Sequence, residues 1–186
     1  PCIAERTWIL NIRTLLGGGA SLTSFIPSIG QPGQSTVADM SLTSILLIHG
    51  PNLNLLGTRE PEVYGHATLS DHVATVVATA SGHGISVEHV QTNTEGEMVN
   101  AIHGANGTSD AIVINAGAFT HYSWAVHDAL KSFPGNVVEV HLSNPGAREQ
   151  FRHVSVLSPV VNGTISGFGG LGYALAVEAL VELAAQ

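Results

Sequence analysis

Five short apolar runs, several of them β-branched, recur after Met40, and this rhythm constrains the fold more than any other feature. They are Ser44–His49, Ile85–Val90, Ala111–Ile114, Val137–Val140 and Val161–Ser166. Each is short, apolar and flanked by turn-forming residues, which is the pattern of a buried strand in a parallel sheet. Helical periodicity lies between or after them, over Leu69–Ser81, Glu97–Gly104, Trp124–Ser132 and Gly172–Ala185. Leu171, Leu175, Val177, Leu180, Val181 and Leu183 carry the pattern of the last helix, and Arg148–His153 offers one further short turn. Strand–helix alternation of this kind predicts an α/β fold, a flavodoxin-like doubly wound parallel sheet of five strands in the order 2-1-3-4-5.

Composition narrows the class. Hydrophobic residues make up 44% and charged residues 11%, which excludes a disordered chain. No apolar run reaches the ~18 residues that span a bilayer. Net charge is −8 with six Lys and Arg in all, too few for the basic stripe that nucleic acid or anionic lipid requires. After Met40 the only basic residues are Arg59, Lys131, Arg148 and Arg152, so an anionic substrate would have to be met there. The single Cys2 allows no disulfide framework and no Cys-based metal site, and fits a cytoplasmic location. Spacing among the histidines gives no metal motif, and the glycines of 167–172 come at the last strand rather than the first, against a dinucleotide site. Neither a metal nor a dinucleotide is expected from these patterns.

Residues 1–39 read differently from the rest. They are rich in Gly, Ser, Thr and Pro, and their two Arg balance one Glu and one Asp. Met40 directly precedes the first strand. The expected organisation is a non-native or disordered leader over 1–39 and a single flavodoxin-like domain over 40–186. Arg6 and Arg13 among hydroxyl residues leave a transit-like segment as the alternative.

In open parallel sheets, ligands bind beyond the carboxyl ends of the strands. Those ends carry Gly50-Pro51-Asn52-Leu53-Asn54, Gln91-Thr92-Asn93, the stretch from Asn115 to His121, and His141-Leu142-Ser143-Asn144. Polar side chains and glycines gather at one edge. The first connection, from Gly50 to Thr68, far exceeds the ~2–6 residues usual between a strand and a helix, and reads as a lid or binding loop. It holds Arg59 and Tyr64. A tyrosine with its ordinary pKa of ~10 is a poor base, but a nearby guanidinium favours tyrosinate. An aromatic anchor beside a surface arginine is the alternative that the spacing alone favours. Glu139 shares a strand face with His141 by period-two alternation, and a carboxylate there fixes the imidazole tautomer and favours its charged form. A satisfied core histidine is the alternative. His121 and Asn115 admit readings as a capping contact and a turn former, and Ser143 and Asn144 as caps whose backbone N–H groups still suit an anion.

Taken together, Gly50–Pro61 with Tyr64-Gly65, Gln91–Glu97, Asn115–His121, and Glu139–Asn144 followed by Arg148-Glu149 and Phe151–His153 resemble the signature of type II 3-dehydroquinate dehydratases. The resemblance runs from about Ile45 to Leu183. It implies a cofactor-free hydro-lyase that removes water from 3-dehydroquinate through an enolate, in aromatic biosynthesis or quinate breakdown. By the same resemblance Tyr64 is the base and Arg59 keeps it ionised. Asn52 stabilises the enolate oxygen, and His141 is the general acid oriented by Glu139. The substrate carboxylate sits on the Leu142 and Ser143 amides, Asn115, His121 and Arg152 hold the ring hydroxyls, and Arg148 orders the lid or an interface. Asp128 reaches the site of a neighbouring subunit, in a homo-oligomer expected to be a dodecamer of trimers. Lys131, the only lysine, falls late on a helix, unlike the Schiff-base lysine of the unrelated type I enzymes. There are departures: His49 stands where the family often has Asn, Thr94 where His is usual, Phe119 for a common Tyr, and Tyr122-Ser123-Trp124 is bulkier than usual. None removes a residue assigned to chemistry. A non-catalytic binding module of the same fold is the alternative, and it leaves the pairing of Tyr64 with Arg59 and of His141 with Glu139 without a use.

Overall fold

Alternation within the three most apolar runs decides the architecture. In β1 (Ser44–His49), Ile45 and Leu47 face one layer and Leu46 and Ile48 the other, all of them buried. β3 (Ala111–Asn115) is buried throughout, and β4 (Asn136–His141) along its middle. A strand apolar on both faces must be covered on both faces. The computed structural model describes residues 41–58 and 65–186, all within one compact unit. The leader 1–39, Met40, Arg59 and Tyr64 lie outside the described residues.

The sheet is wholly parallel, with β2 (Ser86–Gln91) and β5 (Gly163–Ser166) at its edges in the order β2-β1-β3-β4-β5. This is the expected order. Helices α1 (Leu69–Gly82) and α4 (Leu171–Ala184) cover one face, burying Val76, Ala80, Tyr173, Ala176, Val177 and Leu180 against Ile45, Leu47, Val113, Val138 and Val140. Helices α2 (Glu95–Ala105) and α3 (Trp124–Ser132) cover the other, with Met98, Ile102, Val126 and Leu130 against Leu46, Ile48, Ile112 and Ile114. Among the described residues no helix is long and apolar enough to cross a membrane.

Local signals set the element boundaries. Thr68 and Asp71 form a capping box at the start of α1: the Thr68 amide donates to Asp71 Oδ2 at 2.8 Å and the Asp71 amide to Thr68 Oγ1 at 3.3 Å. Ser123 caps α3 by accepting from the Val126 amide at 3.0 Å.

One expectation needs correction, and two others hold with detail that the sequence did not supply. The runs giving β2 and β5 are not buried strands: as edges each has one neighbour, and β2 leaves Ser86, Glu88 and His89 exposed. Leu171 and Leu175 do not belong to the buried stripe of α4 but are exposed, because Tyr173, Ala176, Val177 and Leu180, spaced three and four apart, hold the core face. The segment around Arg148–His153 forms two 3-10 turns, Pro145–Ala147 and Gln150–His153.

Candidate active site

Parallel register places the carboxyl ends of β1, β3 and β4 side by side. His49 pairs with Asn115 across β1 and β3, Ile114 with Glu139 across β3 and β4, and His141 with Ser166 across β4 and β5. An open cleft of about 700 Å³, counted with the solvent at its mouth, lies beyond these ends, where ligands of doubly wound sheets bind. Its walls include Asn52, Asn115, His121, His141, Leu142, Ser143 and Arg152. The structure thus brings together seven of the residues singled out in the sequence.

Close backbone packing makes the cleft possible. A Cβ on Gly50 would lie 2.4 Å from the Ala116 carbonyl oxygen, and the Gly50 amide donates to the Asn115 carbonyl at 2.8 Å. The chain then turns at Asn52, which has a left-handed φ of 67°, a conformation that asparagine tolerates. Its amide donates to Asn93 Oδ1 at 2.9 Å, and Gln91 Nε2 donates to the same oxygen at 3.2 Å. The second motif therefore props up the loop of the first.

At the centre, His141 Nε2 lies 3.1 Å from Glu139 Oε1. Glu139 is wholly buried. Thr120 Oγ1 also donates to Oε1, while the hydroxyls of Ser155, Ser158 and Thr164 each reach Oε2 at 3.3 Å. Burial alone pushes this carboxyl up, but the His141 hydrogen bond and charge, with the Thr120 and Ser155 hydroxyls, outweigh it and hold it below the usual carboxylate range. A charge buried in this way persists because nearly every lone pair is used. The pair leaves Nδ1 as the imidazole nitrogen without a carboxylate.

His121 donates from Nδ1 to the Val154 carbonyl at 2.8 Å. Burial pushes its pKa down and Arg152 and His141 add to this, against the Val154 carbonyl and Glu139, so the ring is held neutral with Nε2 as an acceptor. Arg152 donates to Glu149 Oε2 at 2.8 Å and lies over the Phe151 ring, 4.6 Å from its centre. The Leu142 and Ser143 amides meet no acceptor among the described residues, so they remain available to an anion in the cleft.

Not every expectation falls in one place. Asp128 is exposed on α3 and does not line this cleft. Arg148, expected to order the lid or an interface, lines the cleft, with Nη1 3.3 Å from Ser143 Oγ and Nε 3.3 Å from Glu149 Oε2; residues 59–64 of the lid lie outside the described residues. Sequence reasoning missed the four hydroxyls around Glu139. Thr120 was legible, since it directly precedes His121 in a recognised motif, and Thr164 lies in the fifth strand run, opposite Glu139 in the observed register; Ser155 and Ser158 carried no signal. It noted His49 only as a departure from the family pattern. His49 is wholly buried, its Nε2 2.7 Å from Tyr173 Oη and its Nδ1 3.0 Å from His89 Nε2, while Asn115 Nδ2 donates to Tyr173 Oη at 3.0 Å. Among the described residues no group of three or more His, Cys, Asp or Glu is arranged to hold a metal ion.

Residues 43–181 match the family model described as dehydroquinase class II. A 3-dehydroquinate dehydratase of Ruegeria pomeroyi is 56% identical over 139 residues, which span 75% of this chain and 93% of that protein. One from Halalkalibacterium halodurans is 49% identical over 141 residues, 76% of this chain and 97% of that one. Among solved structures, the type II dehydroquinase of Propionibacterium acnes superimposes with a TM-score of 0.72 at 44% identity, covering 77% of this chain and 97% of that one. A 3-dehydroquinate dehydratase-like protein from Bifidobacterium longum gives a TM-score of 0.59 at 32% identity, over 78% and 100% of the two chains.

Proposed function

The chain belongs to the class II dehydroquinase family, and from that premise we propose how its cleft dehydrates 3-dehydroquinate to 3-dehydroshikimate. The observation that carries the proposal is the buried Glu139–His141 pair at the floor of a cleft whose walls offer neutral and cationic hydrogen-bonding groups.

Tyr64, as tyrosinate, takes the proton next to the ketone, and Arg59 keeps the phenol ionised by charge proximity. The electrons of the broken C–H bond pass to the ketone oxygen, where Asn52 stabilises the enolate through a water molecule. In the second step the enolate collapses and the C–O bond to the leaving hydroxyl breaks. His141 supplies the proton, so that water departs and the conjugated enone remains. Glu139 holds the imidazole in register through its bond to Nε2, which leaves Nδ1 to face the leaving hydroxyl. The tyrosine proton returns to the imidazole by way of solvent, which restores both groups.

Binding follows from charge and hydrogen bonding. The substrate carboxylate lies on the amides of Leu142 and Ser143. Asn115, neutral His121 and Arg152 hold the ring hydroxyls, and Arg148 adds positive charge to the same wall. For Asp128 the proposal is a role in a neighbouring site, within a homo-oligomer built as a dodecamer of trimers. Its exposure on α3, beside exposed Tyr122 and Trp124, supports this. A cytoplasmic location accords with the single cysteine.

The test adds 3-dehydroquinate and follows enone absorbance, together with exchange of the substrate's α-proton in deuterated solvent. Tyr64→Phe should lose turnover by ~10²–10⁴-fold or more and lose exchange with it. His141→Asn should lose turnover yet retain exchange, because the enolate forms and returns to substrate. A Tyr64→Phe enzyme that exchanges at the wild-type rate ends the assignment of Tyr64 as base. A wild-type protein that binds substrate and forms no enone ends the proposal altogether.

A further inference from the structure

Behind the cleft, His89, His49, Tyr173 and Asn115 form a hydrogen-bonded line, and counting its protons fixes every direction in it. Asn115 Nδ2 can only donate, so Tyr173 Oη accepts from it. The phenolic proton must then go to the other neighbour, His49 Nε2, at 2.7 Å. That nitrogen therefore carries a lone pair, and the ring proton sits on Nδ1, donated to His89 Nε2 at 3.0 Å. Burial, then His89 and His72, lower His49 to about 3, which keeps it neutral. Burial pushes the Tyr173 phenol up, against the Asn115 hydrogen bond, which keeps it protonated. Were the His49 tautomer reversed, both neighbours would donate to Tyr173 and its own proton would be stranded in a fully buried site.

We propose that His49 and Tyr173 are positioning residues for substrate, locking the Asn115 amide in the single orientation that it presents to the cleft. Tyr173 offers Asn115 an acceptor, so the amide nitrogen must face the phenol. Asn115 Oδ1 faces the opposite way and accepts from the Gly117 amide at 3.2 Å. An amide free to flip would present donor and acceptor to a ring hydroxyl indiscriminately. This rests on the reading that Asn115 holds a ring hydroxyl.

Steady-state kinetics with 3-dehydroquinate test it. Tyr173→Phe should raise KM about three- to tenfold, the worth of one oriented neutral hydrogen bond, with a smaller change in kcat. His49→Met should do the same. His49→Gln, whose side-chain oxygen reaches the position of Nε2 and accepts the phenolic proton, should restore KM to near the wild-type value. In an Asn115→Ala background, Tyr173→Phe should add nothing, whereas a general packing defect would add its full effect. If Asn115→Ala itself leaves KM unchanged, the role given to Asn115 fails, and the positioning role with it. If Asn115→Ala raises KM while Tyr173→Phe and His49→Met do not, only the positioning role fails. ¹⁵N NMR of the wild-type protein needs no variant to fold: His49 should be neutral and protonated on Nδ1, and protonation on Nε2 overturns the proposal.

Discussion

Replacing Glu139 by Gln keeps the side-chain volume and removes the charge. Its Oε1 lobe takes His141 Nε2 at 3.1 Å and the Thr120 hydroxyl, and its Oε2 lobe takes three hydroxyls, each at 3.3 Å. In the variant the carbonyl oxygen can stay with His141 while the two N–H bonds of the amide go to Ser158 and Thr164, whose hydroxyls rotate to accept; the Ser155 oxygen already accepts from the Leu157 and Ser158 amides, so its hydroxyl turns to Thr120 Oγ1 at 3.0 Å. The fold should survive at a cost of about 1–3 kcal/mol, the worth of charge-assisted hydrogen bonds to a buried group. Catalysis should suffer more. A unit charge ~3 Å from the imidazolium is worth about 5 kcal/mol at an effective dielectric of ~20. As an upper bound that is a loss of several thousandfold, and ~10²–10⁴-fold is the range expected for a disabled acid. Enone absorbance gives kcat, and α-proton exchange should continue, since the first step does not use His141. Stability against pH supplies an independent reading. The folded carboxyl is held below its ordinary value of 4.5, so its stabilisation is present above the unfolded pKa and lost as pH falls through the folded one. Melting temperatures measured from neutral to acid pH should fall less steeply in Glu139→Gln than in the wild type. A variant with kcat within threefold of wild type would refute the role given to Glu139; an unchanged acid profile would refute the charged, buried carboxylate.

Two further outcomes are expected. Gly50→Ala drives a Cβ to 2.4 Å from the Ala116 carbonyl oxygen, so it should cost about 1–3 kcal/mol in chemical denaturation, the range for overpacking, and lower activity by displacing Asn52 and Asn115. A chain beginning at Met40 should keep wild-type activity and sediment far above its monomer mass, since the family match begins at residue 43; a monomer or an unfolded chain would count against the proposed organisation and assembly.

Much of the fold was legible because parallel strands are short, apolar and separated by helical periodicity. The order of the five strands followed from that alternation, as did the gathering of Asn52, Asn115, His121, His141, Leu142, Ser143 and Arg152 at one sheet edge. Period two predicted the Glu139–His141 contact before any coordinates. What escaped was non-local. Tyr173 read as one more residue of an apolar helix, and its hydroxyl meets an imidazole 124 residues away, which no window along the chain can show. Exposure of the edge strands escaped for a different reason: composition reports that a run is apolar, whereas burial depends on how many neighbours the topology supplies. Of the hydroxyls on Glu139, Thr164 stands opposite it in the register of β4 and β5, whereas Thr120, Ser155 and Ser158 come from short turns and loops with no periodic signature, where serine and threonine ordinarily signal turns.

The contact between His49 on the first strand and Tyr173 on the final helix also bears on how the enzyme comes into being. A ribosome delivers the chain from its amino end at about 5–20 residues per second, so β1, β3 and the loop bearing Asn52 emerge well before α4. Until that helix docks, the buried ring of His49 lacks its phenolic donor and one face of the sheet is covered by α1 alone. Nascent chains arrested before Tyr173 should therefore neither bind substrate nor escape chaperones that seek exposed apolar surface, and the cleft should mature in a single late event rather than strand by strand.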